Sequence, residues 1–184
     1  DGRYFVLKDS NQITVVDTHD KTWWRKEVNP YSLSSWNHSD SRFLALLIKD
    51  NNYTKEEMIL LDTKMKKIIN VKHLGSLNKD FEWSPDGKYL AVAGSAQSAI
   101  LYLRNLRKEK RYLDDASKVS WSPDSQCAVF TRDYGIDVVS IDPKKSPIKL
   151  DINMTDLKIK WSADNRYLYA YYRKELDIFD TKTC

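Results

Sequence analysis

The sequence predicts an all-β protein built from a repeated unit of short antiparallel strands. Three observations lead to this prediction. A block beginning Trp-Ser-Pro-Asp recurs along the chain, and a strand ending in Asp-Thr follows several of the copies. No long segment has the 3.6-residue apolar period of an amphipathic helix. With 184 residues the chain is long enough to bury a core without disulfide bonds.

The repeated block is clearest at residues 83–92, where it reads Trp-Ser-Pro-Asp-Gly-Lys-Tyr-Leu-Ala-Val. It recurs at 121–130 and 161–170, more loosely at 36–46, and the chain begins inside another copy. Five anchor residues occupy equivalent positions in these copies: Tyr4, Phe43, Tyr89, Cys127 and Tyr167. Periods of about 40 residues with several short strands each are typical of β-propeller blades.

Each repeat is interpreted as four strands. The first strand ends at Trp, the second carries the Tyr-Leu-Ala-Val segment, the third ends at Asp-Thr or a variant, and the fourth follows a basic turn. In the turn after Trp, Pro fixes φ, Asp bonds its own backbone, and Gly or Asn accepts the left-handed conformation. We therefore expect one β-propeller domain over residues 1–184, with repeats at approximately 1–32, 33–79, 80–117, 118–157 and 158–184.

The first and last repeats are incomplete. Nothing in the sequence supplies an innermost strand for the first repeat or an outermost strand for the last. Incomplete blades leave unpaired strand edges. We therefore expect about five four-stranded antiparallel blades, the first and last incomplete, forming part of a larger propeller. Alternatively another chain supplies the missing neighbours, and the open blade edges then allow self-association.

The block Trp83-Ser84-Pro85-Asp86-Gly87-Lys88-Tyr89-Leu90-Ala91 resembles the repeat of TolB-type β-propellers, which are relatives of WD-repeat blades. The resemblance covers essentially the whole chain, although the Trp-Asp dipeptide and Gly-His pair of a true WD repeat are absent. Similar repeats form the propellers of prolyl oligopeptidase-like peptidases. The resemblance implies a bacterial protein in the periplasm or another extracytoplasmic compartment, with a cytoplasmic location as the alternative.

The sequence offers little for catalysis or metal binding. It has no Gly-x-Ser-x-Gly elbow, and Cys127 replaces an aromatic anchor, which favours a packed strand residue over a nucleophile. His19, His38 and His73 fall at unlike positions in different repeats and lack the paired spacing of a zinc site. The repeated aspartates at the turns are interpreted as turn formers rather than calcium ligands: Asp86, Asp124 and Asp164. We expect no enzyme activity, no metal and no cofactor.

Two other features of the sequence limit the classes of protein to which the chain can belong. The longest purely apolar run, Phe43 to Ile48, is far shorter than the roughly 20 residues of a membrane-spanning helix. The two cysteines, Cys127 and Cys184, exclude a disulfide framework but permit one bridge. The sequence is compatible both with two free thiols and with one disulfide bond between them.

The loops between second and third strands are the expected partner-binding surface. They share one face of a propeller and carry Tyr, Asn and Arg, residue types that suit polar-rimmed protein interfaces. The candidate partner-binding residues in these loops are Asn52, Tyr53, Asp133, Tyr134 and Arg173.

Basic residues recur after the third strands and suggest a positive rim on the opposite face. They are Lys21, Lys64, Lys66, Lys67, Arg107, Lys108, Lys110, Arg111, Lys144 and Lys145. Such a rim would attract nucleic acid or anionic lipid. The Asp-bearing turns should lie on the same face and partly neutralise it, so we do not expect nucleic acid as the partner.

These observations favour a non-enzymatic module that binds a protein or peptide partner, for example as the extracytoplasmic sensing or accessory domain of a larger bacterial protein. Two alternatives stay open. The propeller could gate a prolyl oligopeptidase-like peptidase whose catalytic domain lies outside this chain. It could also bind an anionic partner, nucleic acid or lipid, through the basic rim.

Overall fold

The prediction of an all-β fold is confirmed. The computed structural model describes residues 3–9, 11–21, 23–27, 33–49, 56–65, 67–71, 78–95, 98–103, 107–112, 115–152, 157–172 and 175–181. Within these ranges the regular elements are eighteen strands in five antiparallel sheets of three or four strands. The same ranges contain no helix long and apolar enough to span a membrane.

Each sheet is an antiparallel meander and is called a blade here. Blade 1 is β1 (Tyr4–Asp9), β2 (Gln12–Asp17) and β3 (Trp23–Glu27). Blade 2 is β4 (Leu33–Trp36), β5 (Phe43–Lys49), β6 (Glu56–Asp62) and β7 (Lys67–Val71). Blade 3 is β8 (Asn78–Trp83), β9 (Tyr89–Gly94), β10 (Ser98–Tyr102) and β11 (Arg107–Tyr112). Blade 4 is β12 (Lys118–Trp121), β13 (Cys127–Arg132), β14 (Gly135–Ser140) and β15 (Ile148–Asp151). Blade 5 is β16 (Lys158–Trp161), β17 (Tyr167–Tyr172) and β18 (Glu175–Asp180).

The chain divides into two compact units, Asp1–His73 and Leu74–Cys184. The first unit contains blades 1 and 2, and the second contains blades 3, 4 and 5. The three-stranded blades are the first and the last, in agreement with the sequence. Among the described residues blade 1 begins at the second strand of the repeat, and blade 5 ends at the third.

The turn between the first and second strands is a hydrogen-bonded box. The Ser84 hydroxyl donates to Asp86 Oδ1 at 2.7 Å and accepts from the Tyr89 backbone N–H at 3.0 Å. Asp86 Oδ1 also accepts from the Lys88 N–H at 3.0 Å, and Gly87 takes the left-handed conformation at φ 72°. The box recurs at Ser122–Asp124 and Ser162–Asp164. The aspartates are therefore turn formers, as predicted.

The Asp-Thr ending of the third strand locks it to the start of the second. In blade 2, Asp62 accepts two hydrogen bonds from the Arg42 guanidinium, and the Thr63 N–H and hydroxyl both donate to the Arg42 carbonyl. Blade 1 repeats the arrangement. Arg3 Nε donates a hydrogen bond to Asp17 Oδ1 at 3.1 Å, and Arg3 Nη2 donates one to Asp17 Oδ2 at 2.9 Å. In blades 1 and 2 the basic residue before the aromatic anchor is thus neutralised within its own blade.

Blades within a unit pack face to face through apolar side chains. Where two blades of one unit pack together, the face of the earlier blade is called its forward face and the face of the later blade its back face. Between blades 4 and 5, Val129 and Val138 of the forward face bury against Leu168 and Ala170 of the back face. In the first unit, Val6 and Val15 of blade 1 pack against Leu44, Leu46 and Ile59 of blade 2.

Candidate partner-binding site

The hairpin that joins β13 to β14 carries the most exposed aromatic ring among the described residues. Arg132 pairs with Gly135, so the turn consists of Asp133 and Tyr134 alone. The Tyr134 side chain is 68% exposed, and Asp133 is also exposed. The surface formed by this turn is called the β13–β14 rim below, and it consists of Asp115, Arg132, Asp133 and Tyr134.

The turn is anchored against the outermost strand of its blade. The Ile152 N–H donates to the Tyr134 carbonyl at 3.1 Å. Gly135 has φ 155°, and a Cβ atom there would lie 2.3 Å from the Leu150 carbonyl oxygen. Only glycine permits this close approach between β14 and β15. The exposed Tyr134 ring therefore projects from a backbone that the neighbouring strand holds in place.

Arg132 forms an ion-pair network at the base of the rim. Its Nε lies 2.8 Å from Asp137 Oδ2, and its Nη2 lies 3.2 Å from Asp151 Oδ1. Asp137 is fully buried in β14, and a buried carboxylate needs a counterion to offset its desolvation. Lys149, which pairs with Asp137 across the β14–β15 ladder, adds a further positive charge at the solvent-exposed side.

A hollow of about 390 Å³ opens at the rim, lined by Asp115, Arg132, Asp133 and Tyr134. Asp115 and Asp133 are exposed, whereas Arg132 is only 19% exposed and already faces two carboxylates. The net charge presented by the lining is therefore negative. The arrangement combines one exposed aromatic ring, exposed carboxylates and a concave surface.

The structure brings together two of the residues predicted for partner binding, Asp133 and Tyr134. The other three, Asn52, Tyr53 and Arg173, lie outside the described residues. Sequence reasoning missed the contributions of Asp115 and of the Arg132–Asp137 pair. A signal for the pair was present, because Asp137 interrupts the apolar segment Gly-Ile-Asp-Val-Val and a carboxylate in a buried strand requires a nearby cation.

The basic residues after the third strands do not all lie in turns. Arg107, Lys108, Lys110 and Arg111 were expected in the turn of blade 3, but they belong to strand β11. An outermost strand has one edge in solvent, and charged residues there prevent edge-to-edge pairing. Exposed lysines are found in the corresponding turns of other blades, at Lys21, Lys64, Lys144 and Lys145.

A second hollow, of about 460 Å³, lies between the turns of blades 1 and 2. Its lining includes Arg3 and Arg42, but the guanidinium groups of both are bonded to aspartates. Asp20 and Asp40 lie in the same lining and add negative charge, while Lys64 adds one positive charge. The hollow is thus mixed in charge rather than a cluster of unopposed cations.

The described cysteine is buried, and the described histidines are exposed. Cys127 is 1% exposed in β13 and is disulfide-bonded, so it is a packed strand residue as predicted. Cys184 and His73 lie outside the described residues. His19 is exposed beside Asp20, and His38 is exposed in the blade 2 turn. No group of three or more His, Cys, Asp or Glu in the described part of the chain is placed to hold a metal ion.

The chain was compared with known protein families, sequences and solved structures. No family model matches the sequence. Minichromosome loss protein 1 of Schizosaccharomyces pombe is 25% identical to this chain, and the match covers 68% of this chain. The same match covers only 17% of the length of that relative. The solved structure of Kuenenia stuttgartiensis hydrazine synthase matches all of this chain and 61% of its own, with a TM-score of 0.63 and 18% identity.

Two further structures match with a TM-score of 0.67. The C-terminal WD40 domain of Sif2 is 13% identical over 97% of this chain and 54% of its own. Dihydro-heme d1 dehydrogenase NirN, solved in complex with DHE, is 17% identical over 98% of this chain and 42% of its own. At these identities the likeness concerns the fold alone, and the narrower TolB-type assignment stays a prediction. The chain has the fold of a WD-repeat-like β-propeller.

Proposed function

We propose that this chain is a non-enzymatic β-propeller module that binds a protein or peptide partner through the β13–β14 rim. The observation that carries the proposal is the exposed Tyr134 ring on an anchored two-residue turn beside a hollow of about 390 Å³. Aromatic rings held by a rigid backbone bury a large area on binding and lose little conformational entropy. Loops on a rigid scaffold are also where binding residues concentrate.

The charge of the rim favours a partner segment that carries Lys or Arg. Asp115 and Asp133 are exposed carboxylates, and the Arg132 cation is already opposed by Asp137 and Asp151. A cationic side chain placed between these carboxylates and the Tyr134 ring would gain both Coulomb attraction and a cation–π contact. We expect this attraction to set the orientation and the association rate more than the total affinity.

We also propose an extracytoplasmic location, as the sensing or accessory domain of a larger bacterial protein. The disulfide at Cys127 supports the location, because disulfides persist in oxidising compartments and are rare in the reducing cytosol. The bacterial setting rests on the resemblance of the repeats to TolB-type propellers.

The binding proposal can be tested with a displayed library of random peptides. Selection on the wild-type protein should enrich sequences that contain Lys or Arg next to an apolar residue. Synthetic copies of the enriched peptides are then titrated by fluorescence polarisation against wild type, Tyr134→Ala and Met65→Ala. Met65 is a matched control, since it is 65% exposed but lies in the β6–β7 turn of the other unit.

We expect Tyr134→Ala to weaken binding about tenfold or more, as a central aromatic contact does, and Met65→Ala to leave it unchanged. Equal affinity for wild type and Tyr134→Ala would reject the β13–β14 rim as the binding surface. Enrichment of acidic peptides would reject the charge argument while keeping the surface.

The two alternatives have less support in the described residues. Binding of an anionic partner would use the exposed turn lysines Lys21, Lys64, Lys144 and Lys145, but Asp20 and Asp40 line the same hollow as Lys64 and oppose its charge. A duplex DNA probe should therefore bind weakly, and strong binding that falls steeply with salt would favour this alternative instead. The peptidase-gating alternative rests on the resemblance of the repeats alone.

A further inference from the structure

Two carboxylates of blade 3 dock on the innermost strand of blade 4. The Val119 N–H donates to Asp80 Oδ2 at 3.2 Å, and the Trp121 N–H donates to Glu82 Oε2 at 3.0 Å. The Trp121 indole N–H also donates to the backbone carbonyl of Glu82 at 3.0 Å. Both backbone donors belong to β12, which is the edge strand of its sheet. The open edge of such a strand therefore accepts two carboxylates whose residues are two apart in sequence.

Blade 5 has an equivalent edge next to blade 4. The register of β16 with β17 places Ile159 and Trp161 at the positions that Val119 and Trp121 occupy in β12. The backbone hydrogen bond that closes the following turn is also equivalent in the two blades. Since the N–H groups of an antiparallel strand alternate between its two edges, those of Ile159 and Trp161 point to the open edge of β16.

Blade 4 does not repeat the two acids of blade 3. The residues at the positions of Asp80 and Glu82 are Lys118 and Ser120. A lysine ammonium has only donors, and a serine side chain ends in a short hydroxyl in place of a carboxylate. These two positions therefore supply no carboxylate to the open edge of β16, and one of them carries a positive charge where blade 3 has a negative one.

Trp161 differs from Trp121 in its contacts and its exposure. Its indole Nε1 atom is buried and has no hydrogen-bond partner in the described part of the chain. Val119 and Trp121 are 7% and 5% exposed, whereas Ile159 and Trp161 are partly exposed. A buried donor without an acceptor costs free energy. The innermost strand of blade 5 is thus less covered than that of blade 4.

The surroundings of this edge are basic. Lys118 is exposed on β12, and Lys158 and Lys160 alternate with the two donors along β16. Burial raises the pKa of the Asp80 carboxyl, and the nearby charge of Lys118 opposes that rise, so Asp80 offsets part of this lysine's charge. The sum over the three lysines and Asp80 is still positive. Such a field attracts carboxylates.

We infer that the open edge of β16 binds an extended peptide segment that carries two carboxylate side chains on alternate residues. The carboxylates accept from the N–H groups of Ile159 and Trp161 beside Lys118, as Asp80 and Glu82 accept from β12. Alternate residues of a strand lie about 7 Å apart, so the spacing of the carboxylates matches that of the donors. Hydrogen bonds to a charged acceptor are stronger than those to a neutral one. This inference does not rest on the proposed function, because the β13–β14 rim takes no part.

The test is a titration of the ¹⁵N-labelled chain with acetyl-Asp-Phe-Glu-amide, which copies the acids of blade 3 and their spacing. The matched neutral peptide is acetyl-Asn-Phe-Gln-amide, and acetate at the same carboxylate concentration controls for single carboxylates. Heteronuclear NMR follows the backbone N–H signals of Ile159 and Trp161. We expect the acidic peptide to shift both signals in a saturable manner, to bind more weakly as salt is added, and to exceed both controls.

Ser120→Glu supplies the missing carboxylate from within the chain, as Glu82 does for Trp121. We expect it to weaken binding of the acidic peptide about tenfold or more, because the Trp161 N–H is then already bonded to a charged acceptor. Lys144→Gln lowers the net charge equally at an exposed turn of the same blade and should bind like wild type. Should Ser120→Glu fail to fold, Lys118→Gln removes the exposed ammonium and should weaken binding severalfold.

The inference is overturned if the acidic peptide shifts neither signal, if the neutral peptide or acetate shifts them equally, or if both Ser120→Glu and Lys118→Gln bind like wild type. Shifts confined to Asp133 and Tyr134 would place the peptide on the β13–β14 rim and would also reject it. Tyr134→Ala should leave this binding unchanged. Acidic peptides from a library selection therefore belong to the β16 edge when Ser120→Glu weakens them and Tyr134→Ala does not.

Discussion

The backbone N–H of Trp121 donates a 3.0 Å hydrogen bond to the carboxylate of Glu82, 39 residues earlier in the chain. The Val119 N–H donates in the same way to Asp80 Oδ2 at 3.2 Å. Both donors belong to β12, the innermost strand of blade 4, whose ladder partner is β13. The edge of β12 that faces away from β13 has no neighbouring strand in its sheet. Two carboxylates of blade 3 accept hydrogen bonds from backbone N–H groups at this edge, in the place of a further strand.

The desolvation of the Glu82 carboxyl at this position gives the stability of the protein a pH dependence that can be measured. Burial from water raises the pKa of the Glu82 carboxyl above its ordinary value, although the Trp121 N–H opposes the rise. The folded state then holds the proton more tightly than the unfolded chain. The contribution of Glu82 to the free energy of unfolding is therefore full below the unfolded pKa of about 4.3 and is lost as the pH rises through the folded pKa.

The measurement is urea unfolding of wild type and Glu82→Gln at several pH values. The unfolding free energy of wild type minus that of the variant should fall as the pH rises from about 4 toward 7. Asp164→Asn is a control of opposite sign, because the hydrogen bond from Ser162 lowers the pKa of Asp164. The unfolding free energy of wild type minus that of Asp164→Asn should therefore rise with pH. A Glu82 difference that also rises would mean that the fold favours the charged carboxylate.

The turn chemistry and the blade count were predictable because they depend on residues close together in sequence. Gly87 and Asn165 occupy the left-handed turn position, as the sequence predicts, at φ 72° and 61°. Ser125 occupies the same position at φ 64°, which local reasoning disfavours. Its hydroxyl accepts a hydrogen bond from the Asp86 N–H of the preceding blade at 3.0 Å. This hydrogen bond stabilises the left-handed conformation of Ser125, but its donor lies 39 residues away, so the sequence of the turn alone could not predict it.

The candidate site was predictable only in part, for the same reason. Asp133 and Tyr134 were identified because a short polar loop follows a strand of the repeat. Arg132 was not assigned a role, since its partners Asp137 and Asp151 become neighbours only when β13, β14 and β15 pair. The edge strand β11 was mistaken for a turn because its charged sequence resembles that of a loop.

Gly135→Ala should destabilise the protein by about 1–3 kcal/mol, because the new methyl group would overlap the Leu150 carbonyl and the backbone conformation disfavours a side chain. Chemical denaturation measures the loss. Asp133→Ala changes an exposed residue of the same hairpin and should stay within about 0.5 kcal/mol of wild type. Equal stability of Gly135→Ala and wild type would show that β15 is free to move away from the turn.

Asp62→Asn should destabilise the protein by about 1–3 kcal/mol, since it weakens a charge-assisted contact at a buried acceptor. Burial alone would raise the pKa of Asp62, but the hydrogen bonds from Arg42 and the Met65 N–H outweigh it and the pKa is lowered. The stability that this carboxylate provides is therefore present above its unfolded pKa and is lost as the pH falls through the folded value.

Asp180→Asn is the matched control for Asp62→Asn. Asp180 occupies the equivalent position in blade 5, but its contact with Arg166 is 3.5 Å long and both side chains are more than 40% exposed. An exposed pair of this kind contributes little, so the change should cost less than about 0.5 kcal/mol. Thermal unfolding of both variants at pH 7 makes the comparison. A larger loss of stability for Asp180→Asn than for Asp62→Asn would contradict the claim that the buried pair stabilises the fold more than the exposed pair.

The disulfide at Cys127 should be detectable as an absence of reactive thiol. Protein purified without reductant and unfolded in guanidinium should not react with a thiol reagent, whereas prior reduction should expose thiols. Breaking the bridge should cost about 2–4 kcal/mol, chiefly by releasing the unfolded chain from a covalent constraint.

Cys127→Ala separates the bridge from the packing of Cys127 itself. The side chain is 1% exposed among Val129, Ile136 and Leu168, so the replacement removes one buried sulfur as well as the disulfide. If the bridge dominates, reduced wild type and Cys127→Ala should unfold at similar temperatures, both below the oxidised protein. If reduced wild type instead matches the oxidised protein, the stabilisation comes from the buried sulfur, and the bridge adds nothing to the packing of blade 4 against blade 5.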